Sequence, residues 1–127
     1  INIRQFKKGA TQWVAFDVPV RHSKTILHFE KPLERLSKIK NRNDESQAVG
    51  EDDMFSERPE VKLTVCLRNE QREINVNLVD RRHFVYSVLI GATAIEEFEG
   101  LIDPSMRHLV EPYCVTRPIN KKVATAQ

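Results

Sequence analysis

Apolar and polar side chains alternate along several short stretches of the chain. In residues 14–20 every second residue is apolar, as expected for a strand with one buried face. The same period of two recurs in residues 61–67 and 74–78. The polar residues 68–71 between these two stretches are typical of a hairpin connection. The pattern therefore predicts three strands, two of which form a hairpin.

Shorter strands are predicted around residues 25–29, 33–39 and 84–90. The only helix that the pattern predicts is short and covers residues 93–98, where Ala94, Ile95 and Phe98 share an apolar face. A chain of many short strands with little helix is typical of a β-barrel or a β-sandwich. We therefore predict a mainly β fold, with one short helix.

The alternation breaks down in residues 40–58, which are rich in acidic residues and have almost no period. A loop of this length in a compact domain is usually functional or disordered. The last fifteen or so residues, from 113 to 127, are polar and basic and are predicted to be a poorly ordered tail.

The amino-acid composition excludes few classes of function. The 127 residues, of which 40% are hydrophobic, suffice for one domain with a core. The net charge of +2 indicates neither a nucleic acid nor an anionic membrane as a partner. The two cysteines, Cys66 and Cys114, are too few for a disulfide framework and lack the spacing of metal ligands. Cys66 is interpreted as a small buried apolar side chain.

An ordered series of short motifs follows the hairpin. Its members are Asp80-Arg81, the aromatic residues Phe84 and Tyr86, Leu89-Ile90-Gly91, the predicted helix, and Ile102-Asp103-Pro104. This series resembles the C-terminal half of the bacterial retropepsin-like aspartic protease family, whose members are often labelled ATP-dependent zinc proteases. With an upstream match around residues 32–47, the resemblance covers roughly residues 6–112.

The resemblance implies a single-lobe, retropepsin-like acid-protease β-barrel. Residues 1–112 would be this domain without its N-terminal catalytic strand, and residues 113–127 would be the polar tail. In aspartic proteases an apolar pair and a glycine pass beneath the catalytic loop, and Leu89, Ile90 and Gly91 would hold that position. Glycine there permits close approach of another backbone. The alternative is a buried strand that simply ends at a glycine.

The sequence departs from the family pattern in two places. Ala92 follows Gly91 where the family often has an arginine, so this chain lacks the side chain for a salt bridge or dimer contact of that arginine. The catalytic Asp-Thr-Gly motif does not occur in these residues. Aspartic proteases need two carboxylates that share a proton and a water, and a single lobe supplies one of them. The resemblance therefore implies a parent protein that acts as a homodimer, and we expect this chain to be inactive by itself.

The loop at residues 40–58 is the candidate flap over a bound peptide, and a tolerated insertion without a role is the alternative. The candidate flap and substrate residues are Lys40, Glu45, Ser46, Met54, Phe55 and Arg58. Asp80 is predicted to be an ion-pair or turn residue, Asp103 a turn residue, and Asp52-Asp53 a solvated pair.

We expect no metal, ATP or other cofactor. The four histidines are scattered, and there is neither a His-Glu-x-x-His motif nor a glycine-rich phosphate loop. The expected partners are a peptide or protein substrate and a second copy of the chain, without nucleic acid, and with membrane contact only through upstream sequence. The resemblance favours the bacterial envelope or periplasm over the cytoplasm.

Two other functions stay open on the sequence. One is a non-catalytic β-domain that binds peptides through an exposed edge strand. The other is a barrel that binds nucleic acid. A cluster of basic residues supports this alternative: Lys7, Lys8, Arg35, Lys38, Lys40 and Arg42. The adjacent acidic loop and an aromatic content of only 7% argue against it.

Overall fold

The computed structural model of the protein describes residues 1–40, 55–110 and 114. Its described part has six strands and one short helix. The strands form two three-stranded sheets, and the order within each sheet follows the order along the chain. The chain divides into two compact units: the first unit is Ile1–Leu63 with Ile74–Ile90, and the second unit is Thr64–Glu73 with Gly91–Gln127.

The first sheet is antiparallel, with its middle strand paired on both sides. Its strands are β1 (Arg4–Lys8), β2 (Thr11–Pro19) and β3 (Ile26–Pro32). The turn between β1 and β2 contains Gly9 with a φ of +64°, which glycine adopts without steric penalty. The sequence did not predict β1, because Phe6 is the one apolar residue within it.

The second sheet begins with an antiparallel pair and ends with a hairpin. Its strands are β4 (Arg35–Lys40), β5 (Phe55–Leu67) and β6 (Glu70–Asn77). The hairpin turn consists of Arg68 and Asn69, whose φ angles are +54° and +64°. Two successive positive φ angles are typical of the type I′ turn, whose twist matches that of the flanking strands. The hairpin predicted at residues 68–71 is confirmed.

The apolar core of the first unit takes side chains from both sheets. Val14 and Phe16 of β2 cluster with Val61 of β5 and with Leu78, and each of the four is at most 9% exposed. Phe16 also stacks on Phe29 of β3, with ring centroids 5.3 Å apart. Burial of one such side chain stabilises the fold by roughly 1.5–3 kcal/mol. The alternation therefore identified Val14, Phe16 and Val61 correctly as core residues, whereas Val20, on the same predicted face, is 38% exposed.

The helix α1 (Ala92–Glu97) belongs to the second unit. None of its six residues is buried, whereas Phe98, which follows it, is 8% exposed. The backbone N–H of Gly100 closes the helix end by donating to the Ile95 carbonyl oxygen at 2.9 Å. In the part of the chain that the structure describes, no helix has the length and apolar character to cross a membrane.

The mainly β class and the short helix are confirmed, with three differences in detail. The two sheets are separate and do not close into one continuous barrel within the described residues. The strand predicted at residues 84–90 is wrong, because no described strand pairs with that run. Residues 55–58, predicted as loop, form the start of β5, because they pair with the end of β4.

Candidate functional site

Residues 84–90 form an apolar run that stays exposed. Leu89 is 77% exposed, Ile90 46% and Phe84 59%. Monomeric proteins rarely leave a contiguous patch of this kind uncovered, and such patches commonly mark a binding surface. The run is thus the first candidate for a functional surface, and it contains the first two residues of the predicted motif.

The exposed run has a defined conformation although it belongs to no sheet. Arg81 donates from Nε to the carbonyl oxygen of Tyr86 at 3.0 Å, and its guanidinium lies 4.3 Å from the ring centroid of Phe84. The Ser87 hydroxyl donates to the carbonyl oxygen of Pro19 at 3.1 Å. Hydrogen bonds and a cation–π contact therefore hold the run in place while its aliphatic side chains face water.

Gly91 is the N-cap of α1, with extended backbone at φ −91° and ψ 174°. A Cβ atom at this position would meet no described atom within 4 Å. The close backbone approach expected at Gly91 is therefore not observed in the described residues. The position of the Leu89-Ile90-Gly91 motif beneath a catalytic loop stays a prediction.

The β4–β5 pair carries what the structure describes of the candidate flap. Lys40 and Phe55 are cross-strand partners at the ends of the two strands, and Phe55 is 51% exposed. Arg58 lies opposite Ser37. The remaining candidate flap residues lie outside the described residues: Glu45, Ser46 and Met54.

Glu60 is a buried carboxylate that the sequence did not single out. It is 3% exposed, and its Oε2 accepts hydrogen bonds from Arg35 Nε at 3.0 Å and from the Ser37 hydroxyl at 2.7 Å. Burial by itself would raise its pKa, but the hydrogen bonds from Ser37 and Arg35 and the charge of Arg35 lower the pKa below its ordinary value. Glu60 is therefore ionised at neutral pH, and it fixes the position of the Arg35 guanidinium.

A second group of polar side chains lies on the first sheet. Asp17 Oδ1 is 2.7 Å from His28 Nδ1, and Asp17 Oδ2 accepts a hydrogen bond from Asn2 at 2.8 Å. On the other side of the ring, His28 Nε2 is 3.8 Å from a Glu30 oxygen. The hydrogen bonds from Asn2 and His28 lower the pKa of Asp17, and the hydrogen bond to Asp17 raises the pKa of His28. Among the described residues, no group of three or more His, Cys, Asp or Glu could hold a metal ion.

Cys66 and Cys114 form a disulfide within the second unit, with their Cα atoms 6.2 Å apart. The interpretation of Cys66 as a small buried apolar side chain is therefore wrong, because Cys66 is bonded to Cys114 and is only partly buried. The pairing could not be predicted from the sequence, because the two cysteines are 48 positions apart. The bond joins the end of β5 to the segment after residue 110.

The predicted structural roles of two aspartates are confirmed. Asp80 accepts a hydrogen bond from the backbone N–H of Arg82 at 2.9 Å and forms an ion pair with the Arg82 guanidinium at 3.1 Å. Asp103 accepts hydrogen bonds from both the hydroxyl and the backbone N–H of Ser105, which lower its pKa. Asp52 and Asp53 lie outside the described residues.

The chain is similar to two curated proteins, each named "Probable alpha-L-glutamate ligase". The protein of Shewanella pealeana is 29% identical over 117 residues, and that of Shewanella halifaxensis is 28% identical over 116 residues. Each alignment covers 91% of this chain but only 22% of the relative. The chain therefore spans about a fifth of the length of these relatives.

One similar crystal structure is that of Lpg0085 from Legionella pneumophila, a protein described as of unknown function. It has a TM-score of 0.62 and 28% identity, over 86% of this chain and 71% of that one. This likeness agrees with the retropepsin-like fold expected from the motif series. A family model described as "Retropepsin-like aspartic endopeptidase RimB" matches residues 1–112. Because that match covers most of the sequence, the chain belongs to the RimB-like family of retropepsin-like aspartic endopeptidases.

Proposed function

We propose that this chain is the scaffold of an aspartic-type endopeptidase whose Asp-Thr-Gly segment packs over Leu89-Ile90-Gly91. The observation that carries the proposal is the exposed apolar run at residues 84–90, which includes Leu89 at 77% exposure. Such a run is expected to be covered by another segment in the active enzyme. The 127 residues contain no Asp-Thr-Gly, so the chain by itself would not cleave peptides.

The proposed active form is a homodimer in which each protomer contributes one aspartate. Two carboxylates at close range cannot both be ionised, so one holds a proton and the other accepts one. The ionised aspartate removes a proton from the water that attacks the peptide carbonyl carbon. The protonated aspartate donates its proton toward the carbonyl oxygen. A closed two-fold dimer places the two aspartates side by side on its axis.

The names of the curated relatives support a substrate class. A protease domain similar to part of a glutamate ligase would act on peptides that contain glutamate residues. Such a peptide would bind in extended form beside the β4–β5 pair, where main-chain hydrogen bonds supply affinity and side-chain subsites supply specificity.

The test compares the 127-residue chain with a longer chain that carries an upstream Asp-Thr-Gly. The longer chain is expected to cleave glutamate-containing peptides in a pepstatin-sensitive manner and to sediment as a dimer. Replacement of its motif aspartate by asparagine should abolish cleavage without changing the sedimentation coefficient. Cleavage by the 127-residue chain alone, or cleavage by the longer chain that survives the asparagine substitution, would contradict the proposal.

A non-catalytic peptide-binding β-domain is the second candidate. It is favoured by the curated relatives, which are named as ligases and of which the chain matches 22%. In such proteins the domain would hold a peptide for a neighbouring catalytic domain. This candidate predicts peptide binding without cleavage by any longer chain, so the same assay separates the two functions.

A further inference from the structure

The polar face of the β4–β5 pair contains an arrangement that no role described so far requires. Arg35 is the cross-strand partner of Glu60, and Ser37 is the partner of Arg58. Since side chains two apart on a strand share a face, these four residues lie together on one side of the sheet. A glutamate that is only 3% exposed is rare in proteins unless its charge is matched by partners.

Only one of the two carboxylate oxygens of Glu60 has hydrogen-bond partners among the described residues. Its Oε2 accepts hydrogen bonds from Arg35 and Ser37, whereas its Oε1 is buried without a hydrogen-bond partner among the described residues. The Nε of Arg58 is likewise buried without a partner among them. An unmatched buried polar atom costs about 1–3 kcal/mol, and more when the group is charged. Stability alone does not account for this arrangement.

The Arg35 guanidinium is preorganised to bind an anion. Its guanidinium is anchored to Glu60 through Nε, yet its side chain stays 70% exposed, so the two terminal nitrogens are available. A guanidinium held in this way loses little side-chain entropy when it binds a carboxylate through two parallel hydrogen bonds. Arg58 lies diagonally across the strand pair from Arg35 and adds a second guanidinium.

The two unmatched atoms restrict the chemistry of the ligand. Arg58 Nε needs an acceptor, and Glu60 Oε1 needs a donor. An acidic peptide supplies both, with a side-chain carboxylate as acceptor and a backbone N–H as donor. A phosphate diester or a sulfate supplies acceptors only. Because both protein atoms are closed to solvent, the Arg58 side chain has to turn when the ligand enters.

We propose that Arg35, Ser37, Arg58 and Glu60 form a subsite for an acidic side chain of an extended peptide. In it, Arg35 and Arg58 bind the carboxylate, and Glu60 with Ser37 positions Arg35. The subsite adds a specificity-determining site to the proposed function. It depends on that function only for the assumption that the ligand is a peptide. It concerns binding by the described strands and requires neither the aspartate dyad nor a dimer.

The experiment uses the 127-residue chain labelled with ¹⁵N and titrated with acetylated, amidated tetra-glutamate. Backbone signals of β4 and of the first half of β5 are expected to shift. Arg35→Gln and Arg58→Gln should each weaken binding about tenfold, the usual effect of losing a charge-assisted hydrogen bond. The matched control is Lys38→Gln on the opposite face of β4, for which we expect a change of less than about twofold.

Folding and ligand class are tested separately. The spectrum of each variant shows whether it is folded, and Arg58→Lys, which keeps the charge, should recover part of the affinity lost in Arg58→Gln. Tetra-glutamine should not bind, and sulfate, which supplies acceptors only, should not compete when the ionic strength is held constant with sodium chloride. Equal binding of tetra-glutamine, equal competition by sulfate, or unchanged affinity in both glutamine variants would overturn the subsite. Because no cleavage is measured, a failure of the peptidase assay leaves this result standing, and the reverse also holds.

Discussion

Two apolar stretches of the first unit have similar composition and opposite environments. In β2, Val14 is fully buried and Phe16 is 2% exposed. In the run at residues 84–90, Phe84 is 59% exposed and Leu89 is 77% exposed. Hydrophobicity of the sequence is therefore not sufficient to predict burial. A stretch becomes core only when the chain also supplies the surface that covers it.

The difference lies in the neighbouring elements. β2 pairs with β1 and β3, and its inner face meets Val61 and Leu78. The run at residues 84–90 has hydrogen bonds at Tyr86 and Ser87 and a cation–π contact at Phe84, but no described strand lies beside it. In the working protein we expect this run to be covered by the catalytic segment, as proposed above.

The largest expected effect comes from truncating one phenylalanine in each stretch. Phe16→Ala removes a buried ring that stacks on Phe29 and should lower the free energy of unfolding by about 3–5 kcal/mol. Phe84→Ala removes an exposed ring and should cost less than about 1 kcal/mol, mainly through the contact with Arg81. Urea denaturation of the 127-residue chain measures both values. Similar losses in the two variants would show that the run is buried in solution.

The next effect concerns the second unit, which depends on a covalent bond more than on a core. In residues 91–110, Phe98 is buried whereas Leu101 and Leu109 are 96% and 67% exposed. The Cys66–Cys114 disulfide links two positions that are 48 apart in the sequence, and its loss should cost about 2–4 kcal/mol. Cys66→Ser with Cys114→Ser should therefore increase amide hydrogen exchange in α1 and leave exchange at Val14 nearly unchanged. Equal acceleration at both sites would show that the two units unfold together.

A smaller effect is expected at the end of the exposed run. The family resemblance implies close packing at Gly91, which would make Gly91→Val destabilising by a few kcal/mol through overpacking. Among the described residues, no atom lies within 4 Å of a Cβ placed at Gly91, and its φ of −91° is not left-handed. In the 127-residue chain, Gly91→Val should therefore change stability by less than about 1 kcal/mol. In a longer chain that carries the catalytic segment the loss should be several-fold larger, and equal losses in both chains would contradict the proposed covering of the motif.

The sequence predicted those parts of the fold that depend on local pattern. Alternation identified β2, β5 and β6, and polar residues identified the turn at Arg68-Asn69. It failed where long-range contacts decide the outcome. Glu60 is in phase with the polar positions of β5, so the pattern indicated exposure, and only its pairing with Arg35 and Ser37 buries it. The same limit explains the missed disulfide, whose partners are close only in the folded chain.

The smallest expected effect is on the exposed pair of Asp17 and His28. The hydrogen bond to Asp17 raises the pKa of His28 above its ordinary value of 6.5. The part of the stabilisation that depends on protonated His28 is therefore complete below pH 6.5 and is lost as the pH rises through the folded pKa of His28. The folded pKa of Asp17 lies below its ordinary 3.8, so the contribution is also lost when the pH falls through that lower value. The contribution is thus largest between pH 3.8 and 6.5.

An NMR titration of the His28 ring measures this contribution. Asp17→Asn should return the pKa of His28 toward 6.5, because it removes the main cause of the upward shift. Glu30→Gln is the matched control and should lower the pKa less, since the Glu30 oxygen lies 3.8 Å from the ring whereas that of Asp17 lies at 2.7 Å. Neither variant should alter the exposure of residues 84–90, which lie outside the first sheet. A His28 pKa at or below 6.5 in the unsubstituted chain would show that the pair does not persist in solution.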